Sequence, residues 1–313
     1  AGHNDHCACF SFLPPESSIC FNILRSSFFV INLVWHANCL FKPRVLIWEF
    51  LMSVNAMHVA KSGLNAQQVR MQVIANNLSN VNTAGFKRDR ANFESLLYQV
   101  RRLSGDQTSE DTELSSSYAV GTGVRIVNTE KMHTQGSLMM TDNALDLAIE
   151  GSGFFQVLLP DGRIAYTRNG SFTRSNEGIL TTASGYVVQP EIQIPEGVTN
   201  INVSGNGVVS AIVAGNAAAE EVGQLTLADF ANRRGLQPIG ENFLTETEAS
   251  GEALISNPQE EGVGKLVQGA LEASNVNVVQ ELVEMIETQR AYEVSSKAIT
   301  SVDEMLRFIA NNL

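Results

Sequence analysis

Apolar positions recur at alternating steps of four and three toward each end of the chain, with no such period between. Ala60, Leu64, Met71, Ile74, Leu78 and Val81 share one face of a predicted helix, interrupted only by Gln67. Near the other end Ile299, Val302, Leu306, Ile309 and Leu313 keep the same steps, and Val279, Leu282, Val283 and Ile286 form an apolar patch upstream. Each stripe is one-sided and has no neighbour close in sequence, so both helices must draw most of their stability from a partner.

The first helix is predicted over 55–81, with Gly85 free to take the left-handed conformation that closes it. A short amphipathic stretch, Ala91 to Val100, leads into the polar, acidic run Ser104 to Ser117, which reads as an extended connector. From Gly121 the signals become those of strands and tight turns. Phe154 to Leu159, the turn Pro160-Asp161-Gly162 and Arg163 to Arg168 predict a hairpin. Asn277-Val278-Val279-Gln280 predicts a capping box opening the last helix. The fold class that results is α+β: long N- and C-terminal helices pairing as a coiled-coil-like layer, with an all-β middle, a small sandwich or barrel, inserted between them. By segment, 54–98 hold the N-terminal helix and its continuation, 99–140 an extended connector and 141–230 the β domain. A turn-rich return segment over 231–264 then precedes the C-terminal helix in 265–313.

Residues 1–53 differ in composition from everything after them. They hold all four cysteines, Cys7, Cys9, Cys20 and Cys39, and both tryptophans, and they lack a helical period. They read as an N-terminal extension that is either non-native or disordered, with a start at Met52, Val54 or Met57 placing the first stripe at its beginning. The apolar run Phe28 to Trp35 has neither the flanking charges nor the cleavage pattern of a signal peptide.

Net charge is −12, which argues against nucleic acid or an anionic membrane as partner. The charge is also unevenly placed. Seven Lys or Arg between Val54 and Arg102 face only Asp89 and Glu94, whereas seven Asp or Glu between Ala270 and Leu313 face Arg290, Lys297 and Arg307. The two ends attract each other, which steers register more than it adds affinity.

Little here supports catalysis. Beyond residue 53 there is no cysteine, and His58 and His133, the only histidines, read as satisfied surface residues. Asp142, Asp146 and Glu150 read as solvated turns. Gly121-Thr122-Gly123 and Gly151-Ser152-Gly153 lack the spacing of a phosphate loop. No cofactor, metal or catalytic residue is predicted. The competing reading from another class is a secreted β-domain enzyme with helical oligomerisation arms.

Particular residues carry a resemblance. The run Ile74-Ala75-Asn76-Asn77-Leu78-Ser79-Asn80-Val81-Asn82-Thr83-Ala84-Gly85-Phe86-Lys87-Arg88 closely resembles the N-terminal signature of bacterial flagellar rod and hook proteins. Ser274-Asn275-Val276-Asn277-Val278, Glu281-Leu282-Val283 and Glu287-Thr288-Gln289-Arg290-Ala291-Tyr292-Glu293 resemble that family's C-terminal signature, and Gly151-Ser152-Gly153-Phe154-Phe155 its central motif. The 260 residues from Val54 and the Ser104 to Ser117 connector resemble the distal rod members, with hook and proximal rod subunits as the alternatives. The resemblance implies a structural subunit of the flagellar basal body that polymerises helically with itself into a hollow drive shaft. Its further implied partners are proximal rod and hook subunits at the shaft's ends, a surrounding ring bushing, and the export apparatus that passes the chain without a cleaved signal. Neither nucleic acid binding nor membrane insertion is implied.

Overall fold

The computed structural model describes residues 55–311 apart from 106, 110, 111, 114, 214–219 and 261. The foreign-looking start, with its cysteines and tryptophans, and Leu313 lie outside the described residues, as does the side chain of Ile309. The chain divides into two compact units, one of Ala1–Met57 with Val302–Leu313 and one of His58–Ser301.

Two helices flank a β-rich middle, an α+β arrangement. The first, α1, covers residues 55–79 and ends two residues earlier than its apolar stripe suggests. Asn80 closes it, donating from Nδ2 to the Asn76 carbonyl at 2.9 Å. Gly85 follows with φ +69°, and a Cβ there would come within 2.6 Å of the Arg168 backbone, so both conformation and space demand glycine. The second helix, α2, covers Val278–Asn311 and is about 50 Å long. Asn277 caps it, its Oδ1 accepting from the amides of Val279 at 3.0 Å and Gln280 at 3.3 Å. The predicted box is only half made, because the Gln280 side chain turns to Glu284.

Two antiparallel ribbons flank the polar run Ser104 to Ser117. Asp89–Ser95 pairs antiparallel with Val124–Lys131, and Tyr98–Arg102 with Tyr118–Gly121. The first ribbon runs back along α1. Asn77 meets the strand's start at Asp89, while the Val124 amide donates to Ser62 Oγ at 3.2 Å at its other end. The lengths agree: fifteen helical residues rise about 22 Å, and seven strand steps about 23 Å.

In the β middle, the predicted hairpin forms between Phe155–Leu158 and Ile164–Thr167, with Val157 opposite Ala165. It sits at the centre of a seven-stranded antiparallel sheet that runs from Phe172–Arg174 at one edge to Gln237–Gly240 at the other. The segment read as turn-rich, 231–264, therefore supplies two strands of this sheet as well as Leu254–Ser256, which pairs with Leu227–Asp229. The sheet is open at both edges, and the described strands close no barrel. A three-stranded sheet, Val198–Val203, Val208–Val213 and Glu220–Gln224, contributes Val203 and Val209 to the main apolar core. There they join Leu147, Ile149, Phe155, Phe172, Leu225 and Leu227. Among the described residues no helix is long and apolar enough to cross a membrane.

Candidate assembly site at the neck

Head and tail of the chain meet where α1 ends and α2 begins, and polar groups make the junction. Asn77, 1% exposed, acts like a short piece of strand edge. Its Oδ1 accepts the Asp89 amide at 2.9 Å, and its Nδ2 donates to the Asp89 carbonyl at 2.9 Å and to Glu281 Oε2 at 3.2 Å. Glu281 is fully buried in the first turn of α2, where the helix dipole favours a carboxylate. Arg88 holds it, with Nε 2.5 Å from Glu281 Oε1 and Nη2 2.7 Å from Glu284. Farther along, Arg70 approaches Glu284 at 3.8 Å, and a Cβ at Gly63 would lie 3.8 Å from Ser295 Oγ. Position numbers fall on one helix as they rise on the other, so α1 and α2 lie antiparallel over this stretch.

Asn275 ties the tail in a second way. Its Oδ1 accepts the Arg88 amide at 2.7 Å, and its Nδ2 reaches the carbonyls of Met132 at 2.7 Å and Thr134 at 3.1 Å. No other side chain of this size offers an acceptor and two donors in one plane.

Beside it lies a buried ionic cluster. Glu272, with no exposed side-chain surface, receives Lys87 Nζ at 2.6 Å, Arg168 Nη1 at 3.2 Å and the Gly136 amide at 2.9 Å. Lys87 also donates to the Thr134 carbonyl at 2.7 Å, and Arg168 Nη2 to the Gly151 carbonyl at 2.6 Å. Burial pulls both Lys87 and Arg168 below their usual ranges, against the opposing attraction of Glu272.

His133 is not the satisfied surface residue its sequence context suggests. It is half-buried, edge-on to Phe154 at 5.6 Å, and its Nδ1 has no partner. Burial, with Lys87 and Arg168 close by, lowers its pKa to about 4. Nor is Asp146 a solvated turn. It is buried and accepts from Asn143 Nδ2 at 2.9 Å. Among the described residues no cluster of His, Cys, Asp and Glu could hold a metal ion.

The predicted positions fall into three groups. Asn77, Gly85, Phe86 and Asn275 are gathered at the neck, Asn76 and Asn80 close α1 beside it, and Asn277 caps α2. Of the first stripe only Ile74 is buried; Ala60, Leu64, Met71 and Leu78 on α1, and Val81 just beyond it, are half-buried. On α2, Val302 is buried and Ile299 and Leu306 half-buried, whereas Leu282 and Ile286 are exposed. Gln289, Arg290 and Tyr292 are exposed as well, and Ala291 is half-buried. The face of α2 turned to α1 is instead polar and small: Glu281, Glu284, Thr288 and Ser295. Glu272, Asp89, Glu284 and Arg70 were not singled out from the sequence. Little local marks them, because the partners that tie head to tail lie far apart in sequence, Lys87 and Glu272 by 185 positions and Arg88 and Glu284 by 196.

Comparison with known proteins follows the same division. The family model for the flagella basal body rod protein matches residues 57–87, that for the FlgE/F/G hook protein D1 domain 148–211, and that for the FlgEFG C-terminal region 267–313. The flagellar basal-body rod protein FlgG of Buchnera aphidicola subsp. Acyrthosiphon pisum is 52% identical over 254 residues, covering 81% of this chain and 98% of that protein. The FlgG of Caulobacter vibrioides is 44% identical over 81% of this chain and 97% of its own length, and that of Bacillus subtilis 35% identical over 82% and 98%. With this identity along nearly the whole length of its relatives, the chain belongs to the family of flagellar basal-body rod proteins of the FlgG type.

Proposed function

We propose that the chain is a structural subunit of the flagellar distal rod, which polymerises helically into a hollow shaft and carries torque from motor to hook. It has no catalytic role. In this reading α1 and α2 extend into a coiled-coil-like inner layer, and the β middle, a small sandwich of its two larger sheets, forms the outer layer. The segments then serve as 54–98 for the inner layer, 99–140 for the connector, 141–230 with 231–264 for the outer layer, and 265–313 for the return into the inner layer. Contacts between copies are heterologous and never close, so each subunit offers one surface and accepts another. At its ends the polymer meets proximal rod and hook subunits, around it a ring bushing, and before assembly the export apparatus, all within the flagellar basal body.

One observation carries the reading beyond family membership. On α2, Val279, Leu282, Val283 and Ile286 are 71%, 43%, 50% and 51% exposed, a contiguous apolar row at helical spacing. Polar ties already hold the helix to its own chain, so this row is left for a neighbour. Ile74, by contrast, is 2% exposed and spent inside the chain. The test is Ile286→Glu in a strain whose rod gene is replaced by this chain. Loss of rods and motility with an unchanged melting curve of the purified protein supports the reading, and normal rods overturn it.

A further inference from the structure

Within the unit His58–Ser301, the part that holds most of α1, the neighbouring stretch of α2 and the first ribbon is joined to the β middle, among the described residues, by two passes of chain. These are residues 132–137 and 273–277, and neither has regular secondary structure. The two irregular passes run side by side, joined by the Ala273 amide donating to the Ser137 carbonyl at 2.8 Å and by Asn275 at the carbonyls of Met132 and Thr134, and neither has a helix or sheet of its own to stiffen it. The buried ionic cluster lies across both. Glu272 immediately precedes the second pass, and it binds Gly136 on the first. Lys87, from the loop after α1, binds Glu272 and Thr134 together. Arg168, from the strand end of the β middle, binds Glu272 and the carbonyls of Ile149 and Gly151. One carboxylate thus gathers the helix side, both passes and the β side.

The chemistry suits a stiff joint better than a stabilising one. Lys87 and Arg168 are each 4% exposed in their side chains and Glu272 0%, so water cannot exchange for these bonds during small motions. Charge-assisted hydrogen bonds fix direction as well as distance, whereas apolar contacts of the same area let surfaces slide. Buried ion pairs add little net stability over apolar residues of similar volume, which leaves orientation as what the cluster provides.

We propose that Lys87, Glu272 and Arg168 form a rigid joint that makes the helical part and the β middle turn as one body when the subunit carries torque. The proposal rests on the distal-rod reading above. These three are positioning residues, acting on orientation and not on the surfaces between subunits.

The test replaces the cluster by apolar groups of similar volume, Lys87→Met, Glu272→Leu and Arg168→Met together, in a strain relying on this chain for its rod. Rods are counted by electron microscopy, and swimming speed is followed as medium viscosity rises. Rods of normal number and length, with swimming unchanged in thin medium and lost in viscous medium, are expected. Equal speeds to the parent chain at every viscosity would overturn the proposal, as would folded protein that builds no rods, since the cluster would then serve assembly. If the triple variant does not fold, Glu272→Gln, which keeps the volume and an acceptor oxygen, carries the same comparison. Absence of rods with the unaltered chain would count against the distal-rod reading itself.

Discussion

The β middle and the neck are both well buried, but they are built from opposite materials. In the β middle Phe155 and Phe172 meet edge to face at 5.0 Å, among Leu147, Ile149, Leu225 and Leu227. At the neck the fully buried side chains are Asn77, Glu272, Glu281 and Thr288, the first three held by the polar partners above and Thr288 by donating its hydroxyl to the Glu284 carbonyl at 2.7 Å. Apolar burial is non-directional and supplies the main stabilisation of the β middle. The neck gains less free energy per residue but allows one geometry only, since a misplaced partner leaves a buried charge exposed to nothing. The contrast also explains α2, whose inner face is polar while its apolar row faces away.

This comparison can be broken at either end. The largest loss is expected from Phe155→Ala, at about 3 to 5 kcal/mol of unfolding free energy, measured by chemical denaturation. A loss below about 1 kcal/mol would mean that the β core is not the main source of stability. Next comes Glu281→Ala, expected to cost about 3 kcal/mol because Arg88 loses its buried partner. Its signature is local: amide exchange accelerates at the end of α1 and the start of α2 while the β middle stays protected. Uniform acceleration would show that the neck and β core unfold together.

Acid sharpens the comparison further. The unfolded chain protonates His133 near 6.5, whereas in the fold burial and the nearby Lys87 and Arg168 hold its pKa at about 4. Stability from this group is therefore intact above pH 6.5, falls as pH drops from 6.5 to 4, and levels off below, a loss of up to about 3 kcal/mol. Replacement by Phe keeps an aromatic edge against Phe154 and should flatten that part of the pH profile in thermal melts. An unchanged slope would place the acid sensitivity elsewhere. Smallest of all, Leu282→Glu should change single-chain stability by no more than about 0.5 kcal/mol, because the side chain is already exposed. A clear loss of stability would mean that the row is covered by its own chain.

Much of this was legible in the amino-acid order, for local reasons. Pro160-Asp161-Gly162 sets the hairpin because its turn chemistry is contained in three residues, and Asn277 caps α2 because a cap acts within one turn. Gly85 is similarly self-evident. What stayed hidden depends on distance along the chain. The edge of the seven-stranded sheet comes from Gln237–Gly240 and Phe243–Thr245, about 70 residues beyond the strand they extend, in a segment where Gly, Asn, Pro and Ser outnumber the apolar residues. At the site, Asn77, Lys87, Arg88, Asn275 and Glu281 all lie within the runs that carry the resemblance, whereas Asp89, Glu272 and Glu284 lie just outside them and are marked by nothing local. Periodicity reveals which face of α2 is apolar, though not whether its own chain or another copy covers it.

The match between α1 and the ribbon beside it sets a rule for how such a subunit can change in length. Deleting two residues from the Asp89–Ser95 strand would shorten it by about 6.6 Å and keep its faces, and only the loss of four residues from α1, about 6 Å with a rotation of roughly 40°, would restore the alignment. Helix and ribbon behave like a vernier, in which one scale cannot be trimmed without re-reading the other.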